Sequence, residues 1–338
     1  MSAVGEFGLI DALTKVNKIK HKSTVKAVGD DAAVIDSGTK SYRLITTDSL
    51  VEGVHFDVTY TPLKHLGYKS VVVNLSDIYA MNGTPTHITV ALAISSKYTV
   101  EAIEEIYTGI YLACEKYNVD LIGGDTTSSL AGLMINISAY GEVEKNKVVY
   151  RSNAKPNDIL MVSGDLGAAY LGLQLLEREK RIFKENPGVQ PDFSGKDYLL
   201  ERQLKPEARK DVIERLKYYK VIPTSMIDIS DGLASEVKHL GKQSKTGFNI
   251  HNERIPIDYL TSDTAKELNL DPTVCALNGG EDYELLFTIS PKDFEKVKDE
   301  LAFRPIGYAT SNENQYNLVA QSGSVVPIAS QGWDAFNH

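Results

Sequence analysis

Val119-Asp120-Leu121-Ile122-Gly123-Gly124-Asp125-Thr126-Thr127 decides how this 338-residue chain is read. Val119 to Ile122 is a short apolar run of strand length, and it ends in a glycine pair followed by an acid and two hydroxyls. Immediately before it, residues 99–118 carry Ile103, Ile106, Tyr107, Ile110, Tyr111, Cys114 and Tyr117 at helical spacing, with Thr99 as cap and Glu101 in the first turn. On either side, Ile88, Val90, Leu92 and Ile94 alternate with smaller residues, as do Leu133, Ile135, Ile137 and Ala139, so both segments read as strands.

Working outward, residues 65–82 predict a helix that stops near Asn82-Gly83, with Pro85 beyond. After Arg151, the turn Lys155-Pro156-Asn157-Asp158 leads to a buried strand from Ile159 to Val162 and a helix from about Leu166. Residues 180–197 are polar and hold Pro187, Gly188, Pro191 and Gly195, which predicts a surface excursion. Met226 to Ile229 is a strand running into Ser230-Asp231-Gly232 and a helix to about Lys245. Tyr283 to Ile289 reads as a strand and Pro291 to Leu301 as a helix. The class is mixed α/β (α+β) without a fixed-period repeat, and the expected division is residues 1–150 and 151–338, in line with a length prior of about two domains.

The apolar share of 42 per cent is that of an ordinary globular protein, and the net charge of −9 argues against a duplex nucleic-acid binder, which needs a basic face. It does not exclude phosphate substrates, because bound metal ions reverse the local field. Cys114 and Cys275 share no ligand spacing and read as buried small hydrophobes in a reducing compartment. Glu6 and Asp11 interrupt the first apolar stretch, which argues against a signal peptide. No run approaches the roughly 18 apolar residues of a membrane span. The expected location is therefore the cytoplasm, where the sequons at Asn74 and Asn136 are chance matches.

Acidic residues recur beside Gly, Ser or Thr at the ends of apolar runs: Gly29-Asp30-Asp31, Thr46-Thr47-Asp48, Ser76-Asp77, Gly124-Asp125, Asp228-Ile229-Ser230-Asp231 and Gly280-Glu281-Asp282. One such aspartate is usually a turn residue or a cap. Six such sites in one chain suit several Mg²⁺ ions bridging a polyphosphate, since Mg²⁺ takes hard oxygen ligands and shares them with substrate phosphates. Familiar nucleotide motifs are missing. Gly241-Lys242 is followed by Gln243, Gly164-Asp165-Leu166-Gly167 lacks a Gly-x-Gly start, and the seven His residues show no paired zinc pattern.

In this order the segments GEFGLI, VGDDAAV, TTDSLVEGVHF, NLSDIYAM, LIGGDTT, RSNAKPND, IDISDGL, GGEDYELLF and GWDAF make the chain similar to the thiamine-monophosphate kinase family, over nearly its whole length. That family shares a superfamily with aminoimidazole ribonucleotide synthetase and selenophosphate synthetase. The resemblance implies a two-domain, PurM-like architecture with a β-rich N-terminal domain that dimerises and a C-terminal α/β domain over the nucleotide cleft. It implies Asp31, Thr46, Thr47, Asp48, Asp77, Asp125, Asp228 and Asp231 as Mg²⁺ ligands, with Asp30 a further candidate. It implies Gly124, Asp125, Arg151, Ser230 and Tyr107 as ATP contacts, and His55, Glu281 and Trp333 as contacts to thiamine monophosphate.

Simpler readings stand beside these. Tyr107 fits core packing equally well, Arg151 could be a solvated junction residue, His55 a satisfied core histidine, Glu281 a helix cap and Trp333 a surface plug. The sequence departs from the family pattern at Tyr79, Asn82, Asn157 and Ala335, none of them a proposed ligand. The expected reaction is direct in-line transfer from ATP to an acceptor phosphate that is already ionised. It needs no strong base and no phosphoenzyme, with Arg151 and Asp125 serving the transfer. The rival readings are another ATP-dependent synthetase of the superfamily and an ATP- and Mg²⁺-binding protein without turnover. The first is disfavoured in its selenium form, because no Cys or glycine-rich loop leads the chain.

Overall fold

The computed structural model describes residues 5–329 and Gly332. The first half comprises α1 (Gly5–Thr14), β1 (Thr24–Lys26), β2 (Ala33–Asp36), β3 (Ser41–Val51), α2 (Leu63–Ala80), β4 (Thr84–Ser95), α3 (Val100–Tyr117), β5 (Asp120–Ser129) and β6 (Met134–Glu144). Its strands form a six-stranded sheet in the order β1-β2-β3-β6-β4-β5. All neighbours are antiparallel except β4 and β5, whose parallel pairing needs a crossover that α3 supplies. Thr99 caps α3 by accepting from the Ala102 amide at 3.3 Å, and Asn118 ends it in the left-handed conformation. The expected stripe is buried at Ile106, Ile110, Cys114 and Tyr117, while Tyr111 remains exposed.

The strand after Val119 does not stop at the glycine pair but continues through Asp125 to Ser129. Pairing with β4 explains it, because a Cβ on Gly124 would lie 1.8 Å from the Val90 carbonyl oxygen. Glycine lets the two strands approach rather than ending one of them.

The second half contains β7 (Ile159–Ser163), α4 (Ala168–Glu185), α5 (Asp197–Leu204), α6 (Lys210–Tyr218), β8 (Ser225–Asp228), α7 (Leu233–Ser244), β9 (Gly247–His251), α8 (Tyr259–Glu267), α9 (Pro272–Asn278), β10 (Leu285–Ile289), α10 (Pro291–Val297), β11 (Phe303–Thr310), β12 (Tyr316–Val319) and β13 (Val325–Pro327). A seven-stranded sheet runs β13-β12-β9-β11-β7-β10-β8. The polar stretch from residue 180 enters α4 before it becomes loop, because Leu171, Leu175, Leu176 and Glu179 give that helix one buried face. The strand expected from Tyr283 starts only at Leu285, since Glu281 and Tyr283 have positive φ (56° and 51°) and form a turn. Glu284 anchors α5 and the start of α6 to this sheet by accepting from Ser163, Arg202 and Arg209.

Helix α2 lies where the halves meet. It packs on β3 and β6 on one side and on β8 on the other, and most of its residues are buried. A helix buried all round is normally apolar, yet α2 buries Lys69, Ser70, Asn74 and Ser76. It also packs tightly on α3 through Gly67 and Gly109. A Cβ at Gly67 would sit 1.9 Å from the Ile106 carbonyl oxygen, and one at Gly109 would sit 1.8 Å from that of Lys64.

Gly109→Ala therefore forces the two helices apart. It should destabilise the chain by about 2 kcal/mol or more, the upper part of the overpacking range. Urea unfolding measures this, and an unchanged midpoint would refute the close helix contact.

Candidate functional site

A cavity of about 750 Å³ opens between the two sheets. One face of α2 forms its floor through Leu66, Lys69, Val73 and Asp77, a helical repeat along a single stripe. At one end, Asp31 enters from the turn before β2, Asp77 from the last turns of α2, and Asp228 from the end of β8. Their carboxylate oxygens lie within 4.8 Å of one another. Asp31 and Asp228 are buried and Asp77 partly so. Thr46 donates to Asp77 Oδ2 at 2.5 Å, Ser76 donates to Asp228 Oδ2 at 2.6 Å, and Asn74 accepts from the Asp48 amide at 3.0 Å. Asp48 follows Thr46 by two on β3, hence on the same face. Thr47, between them, donates to the Ile137 carbonyl at 3.1 Å.

The cation at this end is Arg151, whose Nη2 and Nε reach Asp31 Oδ1 at 2.6 and 3.1 Å. Burial works against its charge, but Asp31 more than offsets that and holds the guanidinium protonated. Burial pushes the Asp228 carboxyl up to about 7, with Asp31 adding to the effect. Burial also raises Asp77 well above the carboxylate range, helped by Asp48, Asp228 and Asp31. Asp31 Oδ2 is buried with no hydrogen-bond partner. Crowded, recessed carboxylates with an unsatisfied oxygen fit a hard divalent cation of the Mg²⁺ type.

The opposite end holds Glu281 and His55. Lys69 Nζ lies 2.9 Å from Glu281 Oε1, and Gln203 donates to Oε2 at 2.7 Å. The Val51 amide donates to His55 Nδ1 at 3.1 Å, so a neutral His55 carries its proton on Nε2. Burial holds the His55 pKa down, favouring that neutral form. Between the ends, Ser230, Asp231 and Glu236 line the wall. The mouth is tied by Lys180 to Asp57 at 2.5 Å and by Tyr60 to Glu177 at 2.7 Å.

The cavity thus gathers Asp31, Thr46, Thr47, Asp48, His55, Asp77, Arg151, Asp228, Ser230, Asp231 and Glu281 from distant parts of the sequence. Four expected residues lie elsewhere. Asp30 does not line the cavity; it accepts from the Arg151 amide at 3.0 Å and pairs with Lys26. Gly124 and Asp125 are exposed on β5, the edge of the six-stranded sheet. Asp48, Ile137, Val90 and Gly124 stand in one register row, so three strand spacings, about 14 Å, separate Asp48 from Gly124. Tyr107 lines a separate groove with Ile94, Val100, Ile103 and Tyr111. Trp333 lies outside the described residues.

Sequence reasoning marked Asn74 and Ser76 only as neighbours of Asp77, and it overlooked Lys69, Glu236 and Tyr283. For Lys69 a signal existed, because it is a charged residue within the otherwise apolar run of α2. Glu236 and Tyr283 gave none, since each fits an ordinary helix or strand face.

The family described as "AIR synthase related protein, N-terminal domain" matches residues 29–143. The thiamine-monophosphate kinase of Bacillus subtilis is 34% identical over 98% of this chain and 99% of its own length. That of Buchnera aphidicola subsp. Schizaphis graminum is 38% identical over 98% of each. Among solved structures, the one described as AaThiL complexed with AMPPCP and TMP superposes with a TM-score of 0.83 at 32% identity, covering 99% of this chain and 98% of that one. The chain belongs to the thiamine-monophosphate kinase family.

The crowded carboxylates set a pH dependence. An acid whose pKa is raised on folding binds more protons folded than unfolded, so stability declines as pH climbs between the two values. For Asp228 that window runs from 3.8 to about 7. Asp57 acts in the opposite sense but lower, because Lys180 overcomes burial and holds it at about 2. In chelator, the unfolding free energy should therefore fall by roughly 1–3 kcal/mol between about pH 4 and 7. Asp228→Asn should be more stable than the parent at pH 7.5, and millimolar Mg²⁺ should restore the parent. Denaturant titrations at several pH values check this, and a flat profile with a less stable variant would contradict it.

Proposed function

We propose that this chain transfers the γ-phosphoryl group of ATP to the phosphate of thiamine monophosphate, giving ADP and thiamine diphosphate by direct in-line displacement. One observation carries the reading. The Asp31–Asp77–Asp228 cluster stands beside Arg151 in a chain that matches, end to end, a protein solved with AMPPCP and TMP.

Several Mg²⁺ ions would be held by Asp31, Asp48, Asp77, Asp228 and Asp231, with Thr46 and Thr47 beside them. When bound, Mg²⁺ neutralises the phosphate oxygens and draws charge from the group in transit. Arg151 would turn its guanidinium from Asp31 toward the transferring phosphoryl group, where bidentate donation stabilises spread negative charge. The acceptor oxygen is already ionised near neutral pH, so no side chain has to remove a proton. His55, neutral in its buried setting, can donate from Nε2 to the acceptor. Glu281 faces the acceptor's ring system, with Trp333 as its stacking partner. Ser230 contacts the nucleotide.

Gly124, Asp125 and Tyr107 serve the nucleotide across a homodimer in this reading. β5 is a ten-residue edge strand with neither Lys nor Pro, and it leaves Ile122 exposed. Such edges are normally covered, and pairing along β5 with a second copy would bring these residues toward the partner's cleft. Residues 1–150 would then form the dimerising domain and 151–338 the cover of the cleft. No helix among the described residues is long and apolar enough to cross a membrane. The free, buried Cys114 and Cys275 support a cytoplasmic location.

A coupled assay for ADP release should show turnover with thiamine monophosphate, none with thiamine, and loss of activity in chelator. Arg151→Met should lower kcat by about a hundredfold or more while the fold is retained. Full activity of that variant would remove Arg151 from the transfer step. Reassorting Asp125→Asn with Arg151→Met protomers should recover about a quarter of parental activity if sites are shared across the two-fold. No recovery despite exchanged subunits would confine each site to one chain.

A further inference from the structure

We propose that Lys69 is a positioning residue for the Glu281 carboxylate, so that helix α2 sets the distance between the phosphoryl-transfer end of the cleft and the end that recognises the acceptor's ring. The proposal rests on the reading of the reaction given above and adds a residue that reading does not use.

Lys69 is only 3% exposed. A buried ammonium is retained where its hydrogen bonds are met. Lys69 Nζ meets Glu281 Oε1 at 2.9 Å and donates to the Gln203 carbonyl at 3.0 Å, while the Gln203 amide donates to Glu281 Oε2 at 2.7 Å. Lys69, Gln203 and Glu281 thus close a ring from α2, α5 and the turn before β10. The turn fixes the main chain at Glu281 but does not by itself aim the carboxylate. It has positive φ at Gly280, Glu281 and Tyr283, and its main chain is tied by the Glu281 amide to the Ser230 carbonyl at 2.7 Å and by the Tyr283 amide to the Ile229 carbonyl at 2.9 Å. The direction of the carboxylate is therefore set by its side-chain partners. Each Glu281 oxygen keeps a lone pair for a ligand, and the side chain remains 26% exposed toward the cavity it lines.

The same helix face carries Asp77 at the other end. Eight residues of α2 separate Lys69 from Asp77, a rise of about 12 Å. α2 is buried between both sheets and locked to α3 by the glycine contact, so this spacing is rigid. An acceptor is then selected by whether its phosphate reaches the carboxylate cluster while a ring donor or cationic face reaches Glu281.

The bland alternative is that the Lys69–Glu281 pair only fastens the turn to the helix. A double-mutant cycle separates the two. Lys69→Met should raise KM for thiamine monophosphate by about tenfold and leave KM for ATP within about twofold. Lys69→Arg should recover most of the loss. In a Glu281→Gln background, Lys69→Met should add little, because its effect acts through Glu281. If Lys69→Met does not fold, Gln203→Leu removes the other hydrogen bond and completes the same cycle. Independent, multiplying effects, or equal weakening toward ATP, would overturn the proposal while leaving the reaction intact. A folded parent chain that never turns over thiamine monophosphate would instead overturn the reading beneath it.

Discussion

Like charges held together against their repulsion are the constraint on which this molecule depends. Asp31, Asp77 and Asp228 come from a turn, a helix and a strand, and they converge to within 4.8 Å with burial aggravating their repulsion. Nothing local would assemble them. The fold succeeds because each is carried by an element fixed by its own core. The six-stranded sheet with α2 and α3 forms one apolar cluster, and the strands and helices around Asp228 belong to others. Thr46, Ser76 and Arg151 then supply donors that partly offset the crowding.

Helix α2 transmits that constraint. It carries Asp77 toward one end, with Asn74 and Ser76 beside it holding Asp48 and Asp228, and Lys69 toward the other. Because both sheets bury it, neither end can shift without disturbing a packed interior. The cavity lies along one stripe of the helix, where Lys69 and Asp77 present charged groups between Leu66 and Val73.

Much of this was legible in the sequence. Periodicity located α3, and Thr99 marked its start, because an amphipathic helix with a hydroxyl cap leaves a strong local trace. The acidic pairs beside glycine or hydroxyl residues marked Asp31, Asp48, Asp77, Asp228 and Asp231 as a group before their convergence was visible. The edge position of Asp125 was hidden, because the glycine pair that reads as a turn is instead what lets β5 lie against β4. The partnership of Lys69 with Glu281 was hidden for another reason. It joins residues from distant segments, and no local pattern encodes a contact of that range.

The turn at Glu281 and Tyr283 carries a further consequence. Two non-glycine residues with positive φ stand close together there, a conformation that glycine or asparagine adopts at less cost. Replacing Glu281 with glycine would relieve the backbone, but it would strand the buried Lys69 ammonium, and the loss of a buried partner outweighs the relief. Laboratory evolution that scores only melting temperature would therefore still be held at Glu281 by Lys69. Position 281 is where robustness and chemistry pull in the same direction.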